Sequence, residues 1–188
     1  LVASGKQPPG KGGLFAVGFS GDDGEAYDLR KALDDLGCDA RRLFADPQRM
    51  TPTYLKPRDR GDDSLEGEHE RYDTKNRQQT SAAMQDKIIE SLAELLPRLD
   101  AVVVLDQVEE AECGVVTARV RLALEEFAKK YPRVVFWADS RRRIQEFRGL
   151  IIKPNQFEAV GRENPPPGYI VEIGELCRAA TVLHEKTG

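Results

Sequence analysis

The sequence predicts an α/β fold: a central, mainly parallel β-sheet flanked by helices, with a small β-lid beside it. Three observations carry this expectation. From Thr80 onward, short β-branched runs alternate with stretches of helical periodicity, the pattern of strands joined by crossover helices. The runs "AVVVLD", "RVVFWAD" and "GLIIKPN" are continuously apolar rather than alternating, as buried parallel strands are. Each run gives way to a polar residue, Asp106, Asp139 or Asn155, at the end where open α/β sheets hold their ligands.

The elements read as follows in chain order. Phe15 to Phe19 is a buried strand. It leads into "SGDDGEAYDLRKALDDLG", a helix whose apolar positions are Tyr27, Leu29, Leu33 and Leu36 and which Gly37 is placed to stop. "CDARRLF" and "TPTYLKPR" are strand-like. The charged, Gly-containing "DRGDDSLEGEHE" is a loop, and "HERYDTK" returns as a partner strand. These pieces predict the β-lid, at about residues 38–76. Met84, Ile88, Leu92, Leu95 and Leu99 then recur at helical spacing, as do Val116, Val120, Leu124 and Phe127. Trp137 falls inside a strand and is expected in the core. After the third apolar run come a Pro-rich loop, "GRENPPPGY", and a terminal helix.

Composition narrows the function. Charged residues make up 32% and hydrophobic ones 40%, so the chain is globular rather than disordered. A net charge of −4 gives no electrostatic case for nucleic acid as the main partner. No apolar run approaches the roughly 20 residues of a membrane span. Cys38, Cys113 and Cys177 are odd in number and far apart, without close histidines, which points to a reducing cytoplasm rather than a disulfide framework or zinc site.

Two motifs invite chemistry. "GKQPPGKG" nearly matches the phosphate-binding pattern GxxxxGK[ST] through Gly5, Gly10 and Lys11. Gly12 replaces the hydroxyl that binds magnesium, and Pro8 and Pro9 remove amide donors, so a loop is the better reading. Asn155 and Glu158 stand three residues apart where a strand hands over to a helix. That spacing suits a capping box. The local pattern favours the cap; the reading that asks more is a carboxylate holding a hydrated magnesium ion beside phosphates at a helix start. The two roles are compatible.

Taken together, these segments resemble the PfkB family of carbohydrate kinases, also called ribokinase-like. "AVGFSGDDGEAYDLRKALDDLGCDA" is similar to the family segment in which a strand ends at a Gly-Asp pair and a helix follows. "PTYLKPR" resembles the Pro-Thr-x-x-Lys-x-Arg strand of the heptose-7-phosphate kinase branch, and "RYD" its Arg-Leu-Asp. "VVVLDQ" sits where that branch has a strand ending in Ser-Asp-Tyr. "WADSRRRIQEFRGLIIKPNQFEAVG" parallels Asp-Pro-Lys-Gly, Tyr-Arg-Gly and Thr-Pro-Asn-x-x-Glu-Phe-Glu in order and spacing. The resemblance runs from about Phe15 to Gly161.

The resemblance implies ATP-dependent phosphorylation of a sugar or sugar phosphate with Mg2+. It places Asn155, Glu158 and Asp139 near magnesium and phosphate, with Glu158 the metal-directed carboxylate. It places Lys56, Arg58, Arg71 and Arg141 toward substrate, and it implies homodimer contacts through the lid. Arg141 stands where the family has Lys, keeping the charge but not the point-like ammonium. The family's upstream Gly-Gly sugar-binding segment is not evident, and its late Gly-Ala-Gly-Asp signature, which carries the catalytic Asp, is absent from the 188 residues. The expectation is therefore an internal portion, residues 1–188, of a ribokinase-like kinase domain, inactive alone. The rivals are a related kinase for another small molecule and a non-catalytic α/β module that binds nucleotide or a protein partner.

Overall fold

The computed structural model describes residues 2–5, 13–62, 64, 67–162, 165–166 and 168–188, with backbone alone for 2–5. The elements in order are β1 (Val2–Gly5), β2 (Gly13–Ser20), α1 (Gly24–Asp35), β3 (Cys38–Ala45), β4 (Thr53–Leu55), β5 (Tyr72–Thr74), α2 (Ala82–Leu95), β6 (Leu99–Asp106), α3 (Ala118–Lys130), β7 (Val135–Ser140), β8 (Ile151–Ile152), α4 (Gln156–Ala159) and α5 (Ile173–Thr187). Of the near phosphate-binding motif, Gly5 closes β1, and Gly10 and Lys11 lie outside the described residues.

Six strands form the main sheet in the order β3-β2-β1-β6-β7-β8. Strand β1 is antiparallel to both neighbours, while β2 runs parallel to β3, β6 to β7 and β7 to β8. Five strands therefore point the same way and end along one edge, on which the candidate site is built.

The core follows the helical periodicity. Ser81 and Thr117 cap α2 and α3 by accepting from the amides of Met84 and Val120. Ile88, Leu92 and Leu95 of α2 and Val120 and Leu124 of α3 are fully buried against Val17 of β2, Val102 and Val104 of β6, and Phe136 and Ala138 of β7. Leu99, expected to continue the first helical series, instead opens β6. Leu96–Arg98 form a 3-10 turn, and Pro97 cannot extend an α-helix.

Three expectations are corrected. The stretch from Cys38 belongs to the main sheet, paired parallel to β2 from Leu14↔Cys38 to Ser20↔Ala45. Gly37, at φ 69, turns the chain back for that pairing. The charged residues of β3 suit the open side of an edge strand. The small sheet is thus β4 with β5, antiparallel from Thr53↔Thr74 to Leu55↔Tyr72, extended by a bridge between Arg58 and Glu68.

Second, α1 buries Ala26 rather than its large apolar side chains; Tyr27, Leu29 and Leu36 are exposed. Third, Trp137 is 40% exposed. The period of two puts Val103, Leu105, Val135, Trp137 and Ile151 on the sheet face opposite α2 and α3, and the register aligns Val103, Trp137 and Ile151 side by side. Among the described residues that face has little cover. No helix among the described residues is long and apolar enough to cross a membrane.

Candidate functional site

The edge where β6, β7 and β8 end carries two adjoining cavities, held in shape by a buried ion pair. Asp106, the last residue of β6, is 2% exposed. Its carboxylate accepts from Ser140 Oγ at 2.6 Å, from Arg143 Nη2 at 2.9 Å and from Arg143 Nε at 3.2 Å. Arg143 also donates to the carbonyls of Glu109, at 3.1 Å, and Val108. The Arg141 amide donates to the Asp106 carbonyl at 2.9 Å. Asp106 therefore clasps the segment after β6 to the turn after β7 and does not line an open crevice, as its strand-end position had implied. Arg143, although it follows Arg141 and Arg142 in a basic run, is buried by this clasp.

Asp139 is engaged by a lysine. The Lys153 amide donates to the Ala138 carbonyl, continuing the β7–β8 ladder past Ile152. This leads its ammonium back to Asp139 Oδ2 at 2.9 Å. The hydrogen bond and charge of Asp139 hold the Lys153 pKa above its ordinary value, and the charge of Glu158 adds to this. Gln107 Nε2 also donates to Asp139, at 3.4 Å.

Asn155 and Glu158 form a complete capping box at the start of α4. Asn155 Oδ1 accepts from the amides of Phe157 and Glu158, each at 2.9 Å, and Glu158 Oε2 accepts from the Asn155 amide at 2.8 Å. Asn155 Nδ2 donates to the other carboxylate oxygen at 2.8 Å. Both oxygens of Glu158 are thus held by one residue, and the sequence spacing is explained locally.

The larger cavity, about 590 Å³, opens beside this box. Arg141, Arg142, Arg143, Arg162 and Lys186 line it together with Glu109, Glu146 and Glu158, an excess of positive charge. The smaller, about 340 Å³, lies between the β4–β5 lid and the segment after β6. Tyr54, Arg71, Asp73, Lys75 and Gln107 contribute to its walls. Arg71 donates to Asp73 at 2.7 Å and sits 4.5 Å over the Tyr54 ring.

Glu109 and Arg141 line both cavities and form their common wall. The Glu109 carboxylate meets Lys75 Nζ at 3.2 Å, Arg142 Nη2 at 3.8 Å and Arg141 Nε at 3.9 Å. The Lys75 hydrogen bond, and the charges of all three cations, hold its pKa below the usual carboxylate value.

Of the residues singled out from sequence, Asn155, Glu158 and Arg141 share the larger cavity, and Arg71 joins Arg141 at the smaller. Asp139 lines neither of these two cavities and pairs with Lys153. Lys56 and Arg58 line neither of these two cavities. Lys56 pairs with Glu68 at 2.6 Å and Arg58 donates to the Ser64 carbonyl at 2.8 Å, so both staple the far end of the lid. Glu109 and Lys75 carried no motif, and Gln107 and Lys153, though inside segments that carry the resemblance, were not singled out; their signal was proximity to strand ends.

The Gly-Asp-Asp segment after β2 is also locked. Asp23 caps α1 through the Ala26 amide and accepts from Thr51 Oγ1 at 2.6 Å and Thr51 N at 2.7 Å, contacts that lower its pKa. A Cβ at Gly21 would fall 2.6 Å from the Arg49 carbonyl, so only glycine fits this approach.

The donor set suits some cofactors better than others. Among the described residues no group of three or more His, Cys, Asp or Glu is placed to hold a metal ion. A protein cage for a cation is therefore absent there. A magnesium ion carried on phosphates, keeping its waters, needs only one or two carboxylates, and Glu158 offers one in the larger cavity. The arginines of the larger cavity fit the phosphates.

Solved structures give this arrangement a precedent in fold. The structure of ribokinase from Giardia lamblia matches with a TM-score of 0.62 at 13% identity, over 92% of this chain and 49% of that one. The crystal structure of Sa239 matches with a TM-score of 0.62 at 14% identity, over 96% and 63%. The chain has the ribokinase-like α/β fold and spans between about half and two thirds of the length of these structures. Its sequence matches no protein-family model and no curated protein.

Proposed function

We propose, from the ribokinase-like fold and the paired cavities, that this chain is part of a PfkB-type carbohydrate kinase. The whole protein would transfer the terminal phosphate of ATP to a hydroxyl of a sugar or sugar phosphate, in the manner of a heptose-7-phosphate kinase. One observation carries the reading. Two cavities meet at the carboxyl edge of the sheet, one rich in arginine and one roofed by a hairpin, with Glu109 and Arg141 between them.

In this reading Arg141, Arg142, Arg162 and Lys186 receive the triphosphate. Arg71 and Tyr54 face the sugar from the lid. Asp139 and Glu158 would hold Mg2+, which when bound would neutralise charge on the phosphates. Transfer between two bound partners is chiefly a matter of positioning and charge stabilisation, and these residues supply both. The group that takes the hydroxyl proton is assigned to the family's Gly-Ala-Gly-Asp signature, so the activity is that of the whole protein. A cytoplasmic location and a dimer through the β4–β5 edges, where Tyr54, Leu55 and Tyr72 are exposed, belong to the same proposal.

The test is ADP release by the full-length protein with ATP and Mg2+ across a panel of sugars and sugar phosphates. Stimulation by one of them is expected; none would refute the kinase reading. A non-catalytic nucleotide-binding module is the second reading. It is favoured by the engagement of Glu158 with Asn155 and of Asp139 with Lys153. Mg-ATP binding without release of ADP under any sugar would select it.

A further inference from the structure

We infer that Glu109 keeps the place of a phosphoryl group at the junction of the two cavities, and that Lys75, Arg141 and Arg142 are the cations that receive that group. The distances carry this. Only Lys75, at 3.2 Å, reaches hydrogen-bond length to Glu109; Arg142 at 3.8 Å and Arg141 at 3.9 Å stop short of it. Lys75 and Arg141 thus flank an anion too small to touch both, and Arg142, which has a further interaction of its own, borders it. A carboxylate offers two oxygens and one charge. A terminal phosphoryl group offers three oxygens and up to about two charges. It would close the gaps that the carboxylate leaves.

The framework favours exchange at the side chain alone. The Glu109 carbonyl is pinned by Arg143 Nη1 at 3.1 Å, so the backbone stays while the carboxylate swings aside. Lys75 has a second partner in Glu110 at 3.8 Å, which holds the ammonium at the junction when Glu109 leaves. The cations come from different segments: Lys75 follows lid strand β5, and Arg141 and Arg142 follow β7. An anion gripping all three would tie the lid to the body of the molecule. Glu109 is in these terms a positioning residue, which preserves the spacing of the nest in the absence of ligand. The inference rests on the phosphotransfer reading only in naming the anion as the terminal phosphoryl of a polyphosphate.

The experiment is calorimetric titration of the purified chain with inorganic tripolyphosphate, without sugar or metal. Glu109→Gln is expected to tighten binding about three- to tenfold, because a competing charge is removed at nearly constant shape. Glu109→Asp, which keeps the charge, should stay near the original affinity. Arg141→Met should weaken binding, and in the Arg141→Met background Glu109→Gln should no longer tighten it. Binding unchanged or weakened by Glu109→Gln, or tightened equally with and without Arg141, overturns the inference. Should Glu109→Gln not fold, Lys75→Met and Arg141→Met decide: each weakens tripolyphosphate binding about tenfold, and unchanged binding in both overturns it. Turnover does not enter this assay. Tighter tripolyphosphate binding in a protein that never releases ADP would leave the nest standing and remove the kinase reading alone.

Discussion

Arg143 and Asp106 meet in a two-pronged ion pair, at 2.9 and 3.2 Å, that is closed to solvent on both sides. The pair gathers Ser140 and the carbonyls of Val108 and Glu109 around it, so the edge of the sheet that carries both cavities depends on it. Breaking a buried pair from one side strands a charge. Arg143→Met is therefore expected to lower stability by about 3–5 kcal/mol, and Arg143→Met with Asp106→Leu to recover part of that. Urea unfolding measures both; a loss under about 1 kcal/mol for the single variant contradicts the assignment.

The box at α4 separates a cap from a cation ligand. Asn155→Ala should cost about 1 kcal/mol, felt locally as faster amide exchange at Phe157 and Glu158. In the full-length protein, Glu158→Gln should lower turnover and weaken the dependence on Mg2+ with the fold intact. Lost structure with an unchanged response to Mg2+ would leave Glu158 only its capping role.

Lys153 pairs with Asp139 and feels the charge of Glu158, so it is a resident positive charge in the field of both carboxylates. Its replacement by Met should lower the Mn2+ concentration for half-saturation about threefold, since like charge no longer opposes the metal. Electron paramagnetic titration of Mn2+ reads this directly. An unchanged midpoint would mean that Asp139 and Glu158 do not share a cation.

Acid sensitivity should trace in part to β3. The Arg41 hydrogen bond, against a smaller opposing effect of burial, holds Asp39 at about 2 instead of 3.8. Because the folded value lies below the unfolded one, ionised Asp39 contributes fully above about pH 4, and the contribution drains away as pH falls toward 2. Asp39→Asn should flatten the stability profile over that window and change little at neutral pH. Arg41 is well exposed, so added salt should shrink the difference.

Local pattern and long-range pairing divide what could be read from sequence. Met84, Ile88, Leu92 and Leu95 announced α2 because one stripe of a helix must be buried, and Asn155 with Glu158 announced a cap because the bonds span three residues. The β6–β8 strands were equally plain. Trp137 was misplaced because an apolar run does not state which of its two faces is covered. The stretch from Cys38 was misplaced because edge strands and lid strands carry similar charges. Strand β1, with only Val2 as a strong strand former, becomes a strand by pairing on both sides. Arg143 looked like its neighbours Arg141 and Arg142; only the turn after β7 decides which of the three faces inward. Lys75 and Glu109 meet from distant segments, and nothing in either neighbourhood anticipates the other.

The reversed strand β1 divides the sheet into two parallel blocks, and this shapes how the molecule assembles. Val2 finds Ala16 close by in sequence, but it must also find Val103, and the loop closed by that second seam contains the lid, α1 and α2. Closing so long a loop is slow, so the β1–β6 seam should zip last and yield first, with the irregular register at Gly5 as its weak end.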